Sequence, residues 1–119
     1  MNEGGVVLVP LPQYDGRLKP RPAILLRRTP PFDDWLICGI SSQIHQKVVG
    51  FDEIIEPGDL DFIGSGLKMA SVIRLGFLTT TPSERFLGIP GSISRERHEL
   101  LLGKLSRFLA IKRDTKEDD

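Results

Sequence analysis

The chain has one cysteine, two histidines, one tryptophan and one tyrosine, and each scarcity removes a class of protein. A lone thiol, Cys38, cannot close an internal disulfide, and its place in the apolar run WLICGI marks it as a small buried hydrophobe. His45 and His98 show no HxxxH or HExxH spacing, and Cys38 has no second cysteine to form a CxxC, so no metal site is expected. His45 reads as a polar loop residue and His98 as an exposed residue on the first turn of a helix. There is no GxxxxGKS or GxGxxG loop to cradle phosphates, and Gly64-Ser65-Gly66 falls short of a GxSxG elbow. No cofactor is expected. Net charge is missing too, since 16 basic side chains balance 16 acidic ones. No cationic-then-apolar leader opens the sequence, and no apolar run approaches the roughly 20 residues of a membrane span. A cytoplasmic protein with no membrane partner is the expectation.

What is present is the composition of a globular domain: 119 residues, 39% apolar and 27% charged. Its charges are segregated. Asp52, Glu53, Glu56, Asp59 and Asp61 gather in the middle, while Arg17, Lys19, Arg21, Arg27 and Arg28 gather near the start, with a second basic set towards the end. A neutral molecule can then still carry a basic face, although scattered solvated charge is the commoner arrangement.

Short β-branched runs bounded by glycine and proline predict strands at Gly5–Pro10, Pro22–Arg27 and Trp35–Ile40, the last buried on both faces. Leu11–Lys19, with its Tyr14-Asp15-Gly16 turn signal, and Thr29–Asp34 read as loops. Val48–Ile55 is a weaker strand, broken at Gly50, and Glu56–Asp59 is a turn. Asp59–Gly66 is irregular or a single helical turn. Ser71–Leu75 and then Phe77–Thr80 are extended, and Phe86–Ile93 is an interrupted strand. From Ser94 the period changes: Leu101, Leu102, Leu105, Phe108 and Leu109 share one helical face, with Ser94 as N-cap and Glu96 facing the positive helix end. From about Lys112 the charges alternate without apolar support. The expectation is one domain over residues 1–113 and a frayed tail at 114–119. Short strands, tight turns and one closing helix predict a mainly β fold, a small curled antiparallel sheet or barrel.

Among polar residues, KPRPAILL draws attention. Each proline holds its own φ and stiffens the residue before it, so Lys19 and Arg21 are both constrained. Ser41-Ser42-Gln43 follow the buried strand directly, and two neighbouring strand ends could bring Arg21 and Ser41 to one rim. A guanidinium fork and a hydroxyl together suit a phosphodiester. On the residues alone, a turn capped by Ser41 and Ser42 and a surface ion pair for Arg21 explain the same pattern.

The order of segments resembles the MazF/PemK-like toxins of bacterial toxin–antitoxin systems over nearly the whole chain. GGVVLVP stands as first strand, KPRPAILL as the arginine–proline strand, and ICGISSQ as the apolar strand ending in hydroxyl-Ser-Gln. ASVIRLGFLTT follows, and GSIS precedes the C-terminal amphipathic helix. The resemblance implies an SH3-like antiparallel barrel, a homodimer, and a metal-independent endoribonuclease (an mRNA interferase) that cuts single-stranded RNA at short sequences. It also implies a cognate antitoxin whose acidic, disordered segment folds onto the RNA groove. Carried over, Arg21 takes the catalytic arginine's place and Ser41 the catalytic threonine's. Gln43 falls on a position that often faces the RNA groove in that family, and Arg74 matches an arginine that some branches use in catalysis. Arg17 and Lys19 are expected RNA contacts, with specificity in the Leu11–Lys19 and Ser42–Phe51 loops. Three residues depart from the pattern. Serine at 41 keeps the hydroxyl but loses the methyl that fixes its rotamer. Gly5 and Gly76 stand where aspartates are found in that family. Two other readings stay open: a non-catalytic barrel protein that poisons a topoisomerase by protein contact, and an RNA-binding module without turnover.

Overall fold

The computed structural model describes residues 1–111. The tail expected at 114–119 and the end of the expected 1–113 domain lie outside the described residues. Among the described residues six strands form one antiparallel sheet: β1 (Gly5–Pro12), β2 (Leu18–Thr29), β3 (Asp34–Ser41), β4 (Glu53–Ile55), β5 (Ser71–Pro82) and β6 (Gly88–Ser92). Their order across the sheet is β4-β5-β3-β2-β1-β6. A four-residue helix α1 (Phe62–Ser65) follows β4, and α2 (Arg95–Leu109) follows β6. The mainly β class, the curled sheet and the terminal helix agree with the sequence expectation.

The sheet buries both faces. Val7, Val9, Leu11, Ala23, Leu25, Trp35 and Ile37 pack together on one side, closed by Phe77 and Phe86. Val6, Ile24, Leu26, Cys38, Ile40 and Ile73 form the other cluster, where Leu101 and Leu105 of α2 dock. Adjacent residues alternate between clusters because side chains along a strand alternate between faces. β3 supplies both clusters, as its unbroken apolar run predicts.

The first hairpin is longer than the turn signals suggest. β1 and β2 stay in register through Pro10↔Pro20, Leu11↔Lys19 and Pro12↔Leu18, leaving only residues 13–17 as the connection. In an antiparallel ladder alternate pairs exchange N–H···O bonds, and proline has no N–H to exchange. Leu8↔Pro22, Pro10↔Pro20 and Pro12↔Leu18 all fall on the same alternation, so the bonded pairs are Val7–Ala23, Val9–Arg21 and Leu11–Lys19. Four prolines are therefore compatible with one regular ribbon.

Elsewhere the middle of the chain departs from expectation. Only Glu53–Ile55 of the predicted Val48–Ile55 strand pairs, against Ile73, Val72 and Ser71 of β5. Gly50 takes φ of 83°, which turns the chain before it can extend. The two stretches 71–75 and 77–80 belong to a single strand, β5, interrupted by a bulge.

The curl brings α1, close behind the edge strand β4, onto the opposite edge strand β6. Their backbones touch: a Cβ on Gly91 would lie 2.0 Å from the Gly64 carbonyl oxygen. Arg97 of α2 locks the same junction. Its Nε donates to Asp61 at 2.8 Å, its amino groups donate to Asp59 at 3.0 Å and to the Ile54 carbonyl at 3.0 Å, and Glu53 lies 4.0 Å away. Lys104 adds an ion pair to Glu53. Much of the acid concentrated in the middle is thus consumed inside the fold.

Ser94 caps α2 by accepting the Arg97 N–H at 3.1 Å, as expected. The buried helix face is rotated from the one predicted. It runs through His98, Leu101 and Leu105, with Leu102 partly buried, whereas Phe108 and Leu109 are exposed. The Phe108 and Phe51 rings meet in a tilted contact, with centroids 4.9 Å apart. His98 is half-buried and not exposed, its Nε2 within 2.8 Å of the Leu26 carbonyl oxygen. The hydrogen bond to β2 draws that face inwards.

Burial alone raises the Asp61 pKa, but the Arg97 and Ser94 donors and the Arg97 charge outweigh it and hold the carboxyl below its usual value. Arg97→Met should therefore cost about 3 kcal/mol in urea unfolding at pH 7, because it strips a largely buried carboxylate of its partner. A depressed folded pKa gives stability that is complete above the unfolded value and lost as pH falls through the folded one. The gap between variant and wild type should narrow as the pH drops below about 4.

Candidate active site

The prolines flanking Arg21 shape the rim of the sheet. Because Arg21 is bonded to Val9 of β1, the N sides of Pro20 and Pro22 face β3. A β3 ladder would need N–H groups there, and the β2–β3 pairing stops at Ala23↔Gly39. Continued by two residues, the same register would set Arg21 opposite Ser41. The ladder ends before that point, and a groove of about 720 Å³ opens where the two strand ends separate. Arg21, Ser41, Gln43 and Arg74 all line it. Arg17 and Lys19 are exposed on the hairpin and are not among its lining residues.

Arg21 is held by an amide rather than a carboxylate. Its Nε donates to Gln13 Oε1 at 3.1 Å, and Gln13 Nε2 donates to the Leu11 carbonyl at 3.0 Å. Among the described residues no ion pair engages Arg21. The hydrogen bond uses the side of the fork nearest the backbone, which leaves the terminal amino groups for an incoming anion.

Ser41 closes β3, and its Oγ accepts the Gln43 N–H at 3.1 Å. It therefore caps the turn, as the residues alone suggested, while its hydroxyl proton remains free to be donated into the groove. Gln43 leads into a single 3-10 turn at Ile44–Gln46.

Arg74 reaches the groove through the bulge. Cys38 pairs with Leu78 and Ile40 with Ile73, so Gly39 alone faces Arg74, Leu75, Gly76 and Phe77. The Phe77 ring lies against Gly39, where an added Cβ would sit 2.9 Å from its Cδ2, and Arg74 rests 5.9 Å above the same ring. Any side chain at residue 39 would push this ring away. The glycine is a packing requirement.

Among the described residues the lining contains two arginines and no aspartate or glutamate. A neutral protein thus presents a positive groove, with hydroxyl and amide donors along it and the aromatic faces of Tyr14 and Phe77 at hand. The groups most often recruited for metal or nucleophilic chemistry lie elsewhere. Cys38 is fully buried, and burial pushes its thiol pKa up to about 12, which keeps it protonated. His98 is bonded to Leu26 and His45 is exposed on the 3-10 turn.

Several participants escaped the sequence reading. Gln13 lies in the Leu11–Lys19 stretch that reads as a loop, and its side-chain hydrogen bond to Arg21 is what brings it to the site. Phe77 looked like an ordinary strand residue, because a bulge leaves no periodic trace.

The groove lies at the rim of an open, curled six-stranded sheet closed by a C-terminal helix, a half-barrel. No family profile matches the sequence, and no curated protein matches it. Among solved structures, the Mycobacterium tuberculosis toxin MazF-mt6 is similar at TM-score 0.64, over 87% of this chain and 93% of that one, at 16% sequence identity. The chain therefore has a MazF-like fold.

Gly39→Ala should destabilise the protein by about 1–3 kcal/mol, the cost of forcing a methyl into a filled position. Its aromatic NMR signals should move at Phe77 while those of Trp35, further along the same face, stay in place.

Proposed function

We propose that this chain is an endoribonuclease toxin that cuts single-stranded RNA without a metal ion. The observation that carries the reading is the convergence of Arg21, Ser41 and Arg74, from three strands, on one groove lined by no carboxylate among the described residues. The MazF-like fold supports it, as does the order of sequence segments. In this reading residues 1–113 act as one domain in the cytoplasm, as a homodimer. A cognate antitoxin would neutralise the two groove arginines with an acidic segment.

The chemistry follows from the donors present. The ribose 2′-OH attacks the adjacent phosphorus and the bond to the 5′-oxygen breaks, leaving a 2′,3′-cyclic phosphate and a 5′-OH. Arg21 offers its terminal amino groups to the phosphoryl oxygens, and the Ser41 hydroxyl donates to the same group as negative charge builds. A guanidinium stays protonated at neutral pH and is a poor base there. With no histidine or carboxylate among the described lining residues, the protein's contribution is charge stabilisation: the 2′-OH proton passes to solvent, and solvent protonates the departing 5′-oxygen. Gly76, where a carboxylate is absent, fits that division of labour.

Incubating the protein with a long single-stranded RNA in EDTA tests the proposal. Wild type should cut and leave cyclic phosphate ends, and the rate should rise steadily with pH between about 6 and 9. Arg21→Ala should be slower by about 10²–10³-fold, and Ser41→Ala by a smaller factor. RNA binding without cleavage would make the chain a binding module instead, and neither binding nor cleavage would favour action by protein contact.

A further inference from the structure

Asp52 is buried to 3% exposure, and among the described residues it makes no ion pair. An uncompensated carboxylate in a protein interior is costly unless donors replace its water. Here the donors are backbone N–H groups from two segments. Oδ2 accepts from Val48 at 2.9 Å and Oδ1 accepts from Leu75 at 3.1 Å. Leu75 lies inside the β5 bulge, where the ladder to β3 is broken, and beyond the last β4 pair at Ile73, so no strand pairing holds it.

We propose that Asp52 is the positioning residue for Arg74: its carboxylate clamps the bulge at Leu75 so that the neighbouring guanidinium is presented to an RNA phosphate in the groove. The inference rests on the ribonuclease reading for the identity of the ligand. The clamp acts on the peptide that joins Arg74 to Leu75, so it sets where the Arg74 side chain begins. Leu75 itself is buried in the core facing α2, which leaves Arg74 to point the other way, into the groove. Two further contacts keep the bulge in one shape. The Phe77 ring packs on Gly39, and Phe51, next to Asp52 in sequence, lies 3.7 Å from the position of a Cβ on Gly76. A carboxylate suits the task because both of its oxygens accept. An asparagine has a single accepting oxygen and could hold only one of the two N–H groups.

The sign of the effect separates this role from simple electrostatics. Removing a negative charge near an RNA site ordinarily tightens binding, whereas loss of the clamp should weaken it. The test uses the full chain and a 2′-O-methyl RNA that cannot be cleaved, with binding measured across salt concentrations for wild type, Arg74→Ala, Asp52→Asn and the double variant. Both single variants should bind about tenfold more weakly, the loss of roughly one charge-assisted contact. Each should also lower the salt slope by about 0.7, the signature of one phosphate contact to a single strand. In the Arg74→Ala background, Asp52→Asn should add little, since both changes remove the same contact.

If wild type does not bind this RNA, the ribonuclease reading fails and this inference fails with it. If wild type binds and Arg74→Ala weakens binding, but Asp52→Asn binds equally or more tightly, the clamp alone is overturned. Additive losses in the double variant, or no effect of Arg74→Ala, overturn it as well. Should Asp52→Asn unfold, Asp52→Glu keeps both acceptors but displaces them by a methylene, and the same loss of salt slope is expected. If neither variant folds, Asp52 is a requirement of the whole fold and a role specific to Arg74 is overturned.

Discussion

Hydrogen bonds that proline cannot make decide where this sheet opens. Pro20 and Pro22 turn their nitrogen sides towards β3, and the pairing between β2 and β3 ends at Ala23 and Gly39. Everything proposed for the groove lies beyond that point. Arg21 is held from the β1 side through its pair with Val9, so the same residue has a rigid backbone and an unobstructed side chain. A regular β2–β3 ladder would continue to Ser41 and leave no space between the strands.

A second interruption mirrors the first across β3. On its far side the bulge in β5 sets Gly39 against Arg74 to Phe77, and the Leu75 N–H within it is bonded to Asp52. The groove is thus framed by two places where regular pairing stops, one for want of donors and one through excess chain. Each break costs ladder energy and returns a side chain aimed at one volume, an exchange common where binding sites are built on sheets.

Charge is sorted by the same architecture. Glu53, Asp59 and Asp61 surround Arg97, and Glu3 pairs with Arg27 at 3.0 Å. Asp33 lies 3.6 Å from Arg28, whose guanidinium covers Trp35 at 4.8 Å. These pairings leave Arg21 and Arg74 as the cations that line the groove, although the chain as a whole is neutral. A balanced composition therefore hides a polar molecule, and counting residues could not have revealed it.

Much of this was legible in the amino-acid order. Apolar alternation located β1, β2 and β3, the Ser94 cap and Leu101–Leu105 spacing located α2, and the proline–arginine–proline run singled out Arg21. Those signals are local, set by φ restriction, side-chain alternation and helical period. The length of the first hairpin, the rotation of α2 towards His98, the bulge and the burial of Asp52 are not local. Each depends on which strand lies next to which, and register between distant segments leaves no mark in either segment alone. Short-range physics determined the pieces and the candidate arginine. Only packing decided that Arg21, Ser41 and Arg74 share a groove, because the strands that carry them meet through β3 and not through the chain.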